Sequence, residues 1–497
     1  MLRSGRDVEL SADLQSKYQM LRTIIISNMT RTSSILAFAA ALFSADATDA
    51  ATNEYVVTVD EDMRQMQVEA RFSMPVDNIS ARSADAGNFL SSARNCDNDE
   101  PLRSRRRRLR IPREGLSCLR YTVDLASAAA SERRNASLSE ANFVVSPATW
   151  FWRPAQRRND ETTVRFELPE SVNVSVPWLA VPGKPDMYRL QDSPESSAAF
   201  AAFGQFDFVE TSIPGATIRI TLMQPEYEIQ ASHFVEWIRE TAKNVVLAYG
   251  HFPNPAPNVI VLPVGGERSW SDSPVQFGRV VRDSGETIEL FVNQFRPIDD
   301  FYDDWTATHE FSHLMLPYIS TRYRWVSEGF ASYYQNVLLA RAGQYTEQRA
   351  WQKLWEGFER GRRSRPELSV NGAARAGIRA ATMKIYWSGA AIAFLADVEL
   401  RRRSDGDESL DMVLARLAEC CLPSDRTWSG PELFRKLDTM IEKPLFMPLY
   451  RQYANTPGFP RVRYVLEKLG VEVKNDRVRL QSDAEWTPIR TSIMQKP

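Results

Sequence analysis

The chain is 497 residues long, more than one compact core usually holds, so we expect roughly two to four domains. A hydrophobic content of 43% and a charged content of 25% are typical of soluble globular proteins. The formal net charge of −2 excludes a general electrostatic attraction to nucleic acid or to an anionic membrane, and we expect no nucleic-acid partner.

Residues 1–51 have the pattern of a leader that contains a signal peptide. After Met29, a possible true start, come Arg31, an apolar run from Ile35 to Phe43, and small residues that fit a cleavage site at 45–47. The apolar run is too short to anchor the chain in a bilayer, and no later window is long enough to span one. We therefore expect an exported protein, periplasmic or secreted, with no membrane span after signal removal. A disordered or helical extension is the alternative.

Residues 52–228 predict an antiparallel β domain. Segments such as "EYVVTV", "CLRYTVDL" and "ATIRITLM" are short, alternate between apolar and polar residues, and contain many β-branched side chains. Pro, Asn, Asp and Ser separate them, as expected of turns between strands.

The arginine run "RSRRRRLR", Arg103 to Arg110, is a local exception to the neutral charge. It has no interleaved aromatic residues, which favours a solvated loop or strand edge over a polyanion-binding patch. Cys96 and Cys118 flank the run and could close it with a disulfide. Cys420 and Cys421 are adjacent, and the sequence leaves open whether they pair. Neither pair has metal-site spacing with a nearby histidine, so we assign the cysteines no zinc role.

The rest of the chain predicts a mixed region followed by helices. Residues 229–400 contain a helical pattern from Ser232 to Tyr249, the buried strand "NVIVLPV" and further helices, and we expect them to form one domain. Residues 401–475 predict a helical domain, and residues 476–497 a C-terminal hairpin or tail. The whole chain is thus expected to be a multidomain α+β protein, with its oligomeric state left open.

Two of only four histidines in the chain lie in "HEFSH", at His309 and His313. On a helix, positions i and i+4 share one face, so both rings can reach one metal ion. Glu310 lies about 100° round the helix and can reach a water beside the metal rather than the metal itself. The pattern predicts a zinc site with a general base. Two ordinary helical histidines are the alternative.

A third ligand is available at Glu328, in the first turn of a second predicted helix that begins near Val326. It follows His313 by fifteen positions, enough for the segment "PYISTRYR" to reverse the chain. Two histidines and one glutamate leave a fourth position open, which is the arrangement of catalytic rather than structural zinc.

H-E-x-x-H followed by "WVSEGFASYY" resembles the gluzincin zinc metallopeptidases, and most of all the glycyl aminopeptidase family; it is more distantly similar to aminopeptidase N. The segment beginning "YWSGAAIAF" resembles that family's Y-x-K-G segment and the helix after it. The resemblance implies a thermolysin-like catalytic domain at residues 229–400, between the N-terminal β domain and the C-terminal helical domain.

The resemblance also implies roles for individual residues. His309, His313 and Glu328 would bind one zinc ion per chain, Glu310 would be the general base, and Tyr386 would donate to the oxyanion. Tyr386 could instead be a packed aromatic residue, because three other tyrosines lie near the motif, Tyr323, Tyr333 and Tyr334. The implied function is hydrolysis of peptide bonds in peptides or proteins. A catalytically inactive binding or scaffold protein with the same fold is the alternative.

This sequence departs from the family pattern at three places. Ser388 replaces the lysine of Y-x-K-G, and Met315 replaces a tryptophan that often follows H-E-x-x-H-L. After "NVIVLPV", aminopeptidases carry a glutamate that holds the substrate amine. Here the sequence is "GGERSW", which makes Gly265, Gly266 and Glu267 candidate substrate-binding residues one position out of register. The two glycines could equally form a simple turn at the end of the strand.

Overall fold

The computed structural model describes residues 52–131, 136–138, 142–154, 161–190, 200–206, 208–223, 230–264, 272–282 and 285–495. Residues Thr52–Pro497 form one compact unit. The expected leader at 1–51 lies outside the described residues, and so do Gly265, Gly266 and Glu267. Within the described ranges, no helix combines the length and the apolar character needed to cross a membrane.

Short strands dominate the N-terminal part of the described chain, as the alternating segments predict. The helices there are α1 (Leu125–Ser131) and α2 (Pro147–Trp150). The strands are β1 (Thr52–Val59), β2 (Gln65–Val76), β3 (Leu90–Asn95), β4 (Ser104–Arg105), β5 (Arg108–Leu109), β6 (Leu116–Asp124), β7 (Ala136–Leu138), β8 (Asn142–Val145), β9 (Glu161–Glu167), β10 (Asn173–Ser175), β11 (Leu179–Val181), β12 (Lys184–Leu190) and β13 (Ala201–Gly204).

These strands form a seven-stranded sheet in the order β11-β12-β9-β1-β2-β6-β3 and a four-stranded sheet in the order β10-β13-β8-β7. Residues alternate between buried and exposed along β1, so Tyr55, Val57 and Val59 face the core. The expectation of purely antiparallel pairing is wrong at one place, because β1 and β9 run parallel. A long crossover separates these two strands in sequence, and a crossover of that kind allows parallel pairing.

A five-stranded sheet follows, with β14 (Phe208–Ile213), β15 (Ala216–Leu222), β16 (Asn258–Val264), β17 (Val275–Arg282) and β18 (Glu286–Asn293) in the order β14-β15-β16-β18-β17. The three central strands are parallel, and β17 is an antiparallel edge strand. Helix α3 (Ala231–Tyr249) makes the crossover and buries Phe234, Trp237 and Ile238. Although β14 and β15 precede residue 228, they join this later sheet, because alternation fixes which face of a strand is buried and not which sheet it joins.

The helix that carries His309 is short, and a separate short helix precedes it. Helix α4 (Ile298–Asp303) ends at Asp304, whose backbone is extended with ψ 136°. The Asp304 carboxylate accepts a hydrogen bond from the Thr306 N–H at 2.7 Å. Helix α5 (Thr306–Ser312) starts there. Its partner, α6 (Trp325–Arg341), begins within one residue of the predicted position.

Helices dominate the remainder, as the sequence predicts. They are α7 (Glu347–Arg363), α8 (Val370–Ala376), α9 (Ile378–Arg403), α10 (Leu410–Cys421), α11 (Gly430–Asp438), α12 (Phe446–Tyr453), α13 (Arg463–Lys468) and α14 (Thr487–Met494). A C-terminal hairpin is present as β19 (Val471–Lys474) and β20 (Arg477–Leu480), but it begins before residue 476, inside the segment expected to be helical, and α14 follows it. Its turn residues Asn475 and Asp476 have φ of 52° and 59°, values that Asn and Asp tolerate well. Disulfides join Cys96 to Cys118 and Cys420 to Cys421.

Candidate metal centre

The two histidines of H-E-x-x-H lie side by side. His309 belongs to α5, and His313 opens the single 3-10 turn His313–Met315 that continues it. Their ring centroids are 4.8 Å apart with the ring planes at 90°. Both rings are buried. The two rings can therefore direct one nitrogen each toward a common point.

Helix α6 brings a carboxylate to the same point. Glu328 Oε2 lies 3.4 Å from His309 Nε2 and 3.6 Å from His313 Nε2. Glu310 is also near, with Oε2 3.9 Å from His313 Nε2, and the ligand atoms of His309, Glu310 and His313 all lie within 4.8 Å of one another. Glu328 approaches both histidines more closely, so Glu328 is the better third ligand and Glu310 is left for another task.

The loop between the two ligand-bearing segments is held by a strand-like pairing with Trp428. The Trp428 N–H donates to the Tyr318 carbonyl at 2.8 Å, and the Trp428 carbonyl accepts from the Ser320 N–H at 2.9 Å. The chain reversal expected between His313 and Glu328 is present. It depends on a segment more than a hundred residues downstream, which local sequence could not indicate.

The hydrogen bonds around the two rings fit a bound metal ion. His309 Nδ1 donates to the amide oxygen of Gln335 at 2.7 Å, so in the neutral ring Nε2 presents a lone pair toward Glu328. His313 Nδ1 contacts Ser327 Oγ at 2.9 Å. Burial lowers the pKa of His313 to about 3, which keeps that ring neutral. Buried lone pairs and a carboxylate that face one another need a cation or a proton between them.

The charge state of the ligands suits a metal as well. Burial opposes charge on Glu328, but without a metal the protonated His309 ring donates its Nε2–H to Glu328, and this bond and the charge of the imidazoles bring the pKa of Glu328 to about 2. Burial likewise opposes protonation of His309, and the nearby carboxylates of Glu328 and Glu310 reverse this and raise its pKa. Two imidazoles and one carboxylate are the donor set of catalytic zinc sites with an open position.

Glu310 is a buried carboxyl group with an unusual proton affinity. Burial is the largest cause that raises its pKa to about 7, and the charge of Glu328 adds to it; His309 and a hydrogen bond from the Val280 N–H act in the other direction. The side chain lies against edge strand β17 at Gly278, where a Cβ atom would come within 2.6 Å of Glu310 Cγ. Gly278 thus provides the space that Glu310 occupies. A carboxyl group that titrates near neutral pH can take and return a proton.

Tyr386, on α9, reaches the same centre. Its hydroxyl lies near enough to the Glu328 carboxylate to help lower the pKa of that group, and its ring stacks on His309 at 5.6 Å with the planes 5° apart. Burial and the charge of Glu328 raise its pKa well above the ordinary value, so the phenol keeps its proton. By contrast, Tyr333 and Tyr334 donate elsewhere, to Asp397 at 2.7 Å and Asp411 at 2.9 Å.

A direct contact between two glycines sets the distance between Glu328 and Tyr386. A Cβ atom on Gly329 would lie 2.3 Å from the Cα of Gly389, and one on Gly389 would lie 2.0 Å from the Trp325 carbonyl oxygen. Helices α6 and α9 therefore cross with backbone against backbone. Gly329 directly follows Glu328 in the sequence, so the crossing brings the glutamate to the helix that carries Tyr386.

Arg282, at the end of β17, holds the segment that carries His313. Its Nη2 donates to the carbonyl oxygens of His313 and Leu316, both at 3.1 Å. The Leu316 N–H also donates to the His313 carbonyl, at 3.3 Å, so Arg282 adds a second donor there and binds the carbonyl of the residue that ends the 3-10 turn. Glu286 fixes the guanidinium through a buried ion pair at 2.5 Å. Arg282 thus positions His313 through the backbone.

Sequence reasoning missed four residues at this centre. Gln335 and Ser327 hold the outer nitrogens of the two rings, and Gln335 could have been found because it follows Glu328 by two turns on one helix. Trp305 packs edge-on against His309 at 5.5 Å with 42% of its surface exposed. Trp305 and Arg282 carry no local signal. The predicted substrate residues Gly265, Gly266 and Glu267 remain untested, since the described residues stop at Val264 and resume after them.

Solved structures of peptidase families resemble the fold of this chain. An aminopeptidase N family protein from Idiomarina loihiensis matches with a TM-score of 0.62 and 14% identity, over 85% of this chain and 79% of that one. The chain shares the overall fold of this structure. The M1 zinc metallopeptidase from Deinococcus radiodurans gives 0.53 and 13%, over 83% and 94% of the two chains. A mutant of it bound to a Tyr-Ser-Ala substrate gives 0.51 and 13%, over 83% and 96%.

A sequence-family model adds local evidence. Residues 317–391 match the M61 glycyl aminopeptidase family. This span includes Glu328 and Tyr386 and begins after His313. No curated protein sequence matches the chain. The family match and the solved neighbours together confirm the resemblance to gluzincin aminopeptidases that was read from the motifs.

Proposed function

We propose that this chain is an exported, zinc-dependent metallopeptidase of aminopeptidase type, with a thermolysin-like catalytic domain at residues 229–400. One zinc ion per chain would be held by His309, His313 and Glu328. The observation that carries the proposal is the approach of Glu328 Oε2 to both imidazole Nε2 atoms, at 3.4 and 3.6 Å. Two buried imidazoles and a half-buried carboxylate at one point, beside a second carboxyl group, Glu310, form the minimum apparatus for metal-assisted hydrolysis.

Each residue at the centre has a distinct task in this proposal. When bound, zinc polarises a carbonyl group and lowers the pKa of a water molecule toward about 7. Glu310 accepts the proton of the attacking water and delivers it to the departing amine, since its carboxyl group is buried beside the ligands and need not bind the metal itself. Tyr386 keeps its phenolic proton and can turn from Glu328 to donate to the oxyanion. Gln335 and Ser327 hold the imidazole rings.

The proposed substrates are peptides or proteins, cut near a free amino terminus. The Deinococcus radiodurans metallopeptidase of the same fold is solved with a tripeptide substrate, and residues 317–391 match an aminopeptidase family. Glu267 is the proposed amine anchor, and a cleft open to internal peptide segments is the rival. Peptides with a free amino terminus should be cleaved and acetylated ones resisted, because blocking the amine removes the positive charge that an anchoring carboxylate would bind. Equal cleavage of both would remove the aminopeptidase assignment and leave the zinc hydrolase intact.

The proposed location is outside the cytoplasm, periplasmic or secreted, on the strength of the leader pattern in residues 1–51. We expect the mature chain to begin between Thr48 and Thr52. Amino-terminal sequencing of the exported protein tests this, and a mature chain that still begins at Met1 or Met29 would contradict it.

The deciding experiment separates metal binding from turnover. His309→Ala or Glu328→Ala should lose zinc, because each leaves two protein ligands. Glu310→Gln should keep zinc and lose turnover of a peptide library followed by mass spectrometry. Wild-type protein that binds zinc and cleaves nothing in the library would instead support the binding or scaffold alternative. Equal zinc loss in Glu310→Gln and His309→Ala would refute the division of roles.

A further inference from the structure

A second feature, the arginine hairpin, lies far from the metal centre in sequence and plays no part in its chemistry. We give this name to residues 103–113, in which β4 and β5 pair around a turn at Arg106 and Arg107. Every arginine of the hairpin is exposed. They are Arg103, Arg105, Arg106, Arg107, Arg108, Arg110 and Arg113.

Among the described residues, no acidic side chain neutralises the charge of the hairpin. Across the part of the chain that the structure describes, none of the seven arginines has an ion-pair partner, whereas neighbouring Arg94 pairs with Asp99 at 3.1 Å. Arg105 and Arg108 stand directly opposite each other across the hairpin, where like charges cost stability. These arginines therefore do not stabilise the fold through ion pairs. Their charge is available to an external anion.

The backbone that carries the arginines is well fixed. The Leu109 N–H donates to the Ile79 carbonyl at 3.0 Å, and the Ala81 N–H donates to the Arg107 carbonyl at 3.0 Å. The Arg106 carbonyl sits where a side chain on Gly87 would be, because a Cβ there would come within 1.8 Å of it. The Cys96–Cys118 disulfide closes the segment that contains the hairpin. Because the backbone of the hairpin is already ordered, it loses little backbone conformational entropy on binding a partner.

We propose that the arginine hairpin docks the protein peripherally onto a membrane surface that carries anionic phospholipid head groups. One guanidinium group can donate two parallel hydrogen bonds to the oxygens of one phosphate, and a lipid surface presents many phosphates at once. A nucleic acid is a poorer fit, because residues 103–113 contain no aromatic side chain on which bases could stack. An added peptide strand is a poorer fit too, since β4 and β5 have two residues each. Leu109 is buried, so binding is electrostatic and without insertion.

The test measures sedimentation of the full chain with vesicles of equal parts phosphatidylglycerol and phosphatidylcholine, against vesicles of phosphatidylcholine alone. Each arginine near an anionic surface strengthens binding roughly fivefold. Removing four should weaken binding several hundredfold. The quadruple variant is Arg105→Ser, Arg106→Asn, Arg107→Ser and Arg108→Ser, with Asn at 106 because φ there is 55°.

The matched control removes the same charge elsewhere, from exposed helical arginines, and should bind within a few fold of the wild type. It is Arg362→Ser, Arg363→Ser, Arg402→Ser and Arg403→Ser. Replacing the four hairpin residues by lysine should retain binding, and wild-type binding should fall as salt rises, which tests charge without any substitution. An unchanged melting temperature and peptide hydrolysis would show that the hairpin variant is folded.

Three results would overturn the proposal. The first is wild-type binding to phosphatidylcholine vesicles as strong as to the anionic ones. The second is a hairpin variant that binds the anionic vesicles like the wild type. The third is tighter binding to duplex DNA than to anionic vesicles at equal phosphate concentration, which would make nucleic acid the partner.

Discussion

At the scale of single residues, the candidate centre is organised by neutral groups behind the imidazoles. Gln335 accepts from His309 Nδ1 at 2.7 Å, and Ser327 contacts His313 Nδ1 at 2.9 Å. Groups in this outer position fix the tautomer and the orientation of a ligand ring, and their loss typically weakens metal binding by about 10- to 100-fold. Substitution of Gln335 therefore tests directly whether His309 is a metal ligand.

Gln335→Leu should weaken zinc binding by roughly 10- to 100-fold, because His309 loses the acceptor that holds its proton on Nδ1. Gln335→Glu has nearly the same shape and a stronger acceptor, so it should bind zinc at least as tightly as the wild type. Competition with a chelator of known affinity measures both variants. Unchanged affinity in Gln335→Leu would mean that His309 is not held in this way.

Glu310 predicts a pH dependence of stability in the zinc-free protein. Burial raises its pKa to about 7 from an ordinary 4.5, so the folded chain keeps a proton that the unfolded chain releases between these values. The unfolded state binds fewer protons in that window, and stability falls as pH rises through it. Glu310→Gln has no ionisable group at this position, so its stability does not fall with pH in this way. It should match the wild type near pH 4 and exceed it by on the order of 3 kcal/mol at about pH 8.

Urea unfolding of both zinc-free proteins at the two pH values checks the sign and the size. A constant difference between Glu310→Gln and the wild type would show that the carboxyl group ionises normally in the folded chain.

At the scale of elements, the centre depends on where α6 and α9 cross. Gly329 and Gly389 let the two backbones touch, and this contact brings Glu328 under the hydroxyl of Tyr386. The ends of the elements matter too, because Arg282 at the end of β17 donates to the carbonyls of His313 and Leu316. Two helices and one edge strand thus fix the ligands.

Gly329→Ala should separate α6 from α9, since the new Cβ would lie 2.3 Å from Gly389 backbone atoms and neither backbone can yield locally. Overpacking of this kind lowers the free energy of unfolding by about 1–3 kcal/mol or more. The variant that remains folded should also lose turnover, because Tyr386 moves away from Glu328. Gly372→Ala in α8 is the matched control, with Ser369 Oγ its nearest neighbour at 3.1 Å. Thermal melting and peptide hydrolysis measure the two effects. Equal behaviour of the two variants would contradict the crossing argument.

At the scale of the whole molecule, the Cys96–Cys118 disulfide belongs to the N-terminal sheets, whereas the metal centre lies on α5, α6 and α9. The disulfide joins residues 22 positions apart, and a loop of that length contributes roughly 3 kcal/mol by restricting the unfolded chain. Its loss should weaken folding without touching the zinc ligands.

Replacing Cys96 and Cys118 together by serine should lower stability by about 3 kcal/mol and leave zinc content at one ion per folded chain. Urea unfolding and metal analysis of the folded fraction measure this. Zinc loss in the folded double variant would show that the N-terminal sheets and the metal centre are coupled.

The sequence determined what depends on short-range periodicity. The spacing from His309 to His313, the start of α6 near Val326 and the alternation along β1 follow from repeats of 3.6 or 2 residues, and the structure has all of them. The choice of Glu328 as third candidate ligand also followed from a local pattern, because it lies in the first turn of a recognisable helix close after His313.

Only the tertiary structure decided which distant groups meet. Tyr386, and not Tyr333 or Tyr334, reaches Glu328, because the glycine contact between α6 and α9 selects it. No local sequence pattern indicated that Arg282 would donate to the carbonyl of His313, that β15 would pair with β16, or that a helix would end at Asp304. Periodicity states which face of an element is buried. The partner of that face is chosen by packing between segments far apart in the chain, which no local window contains.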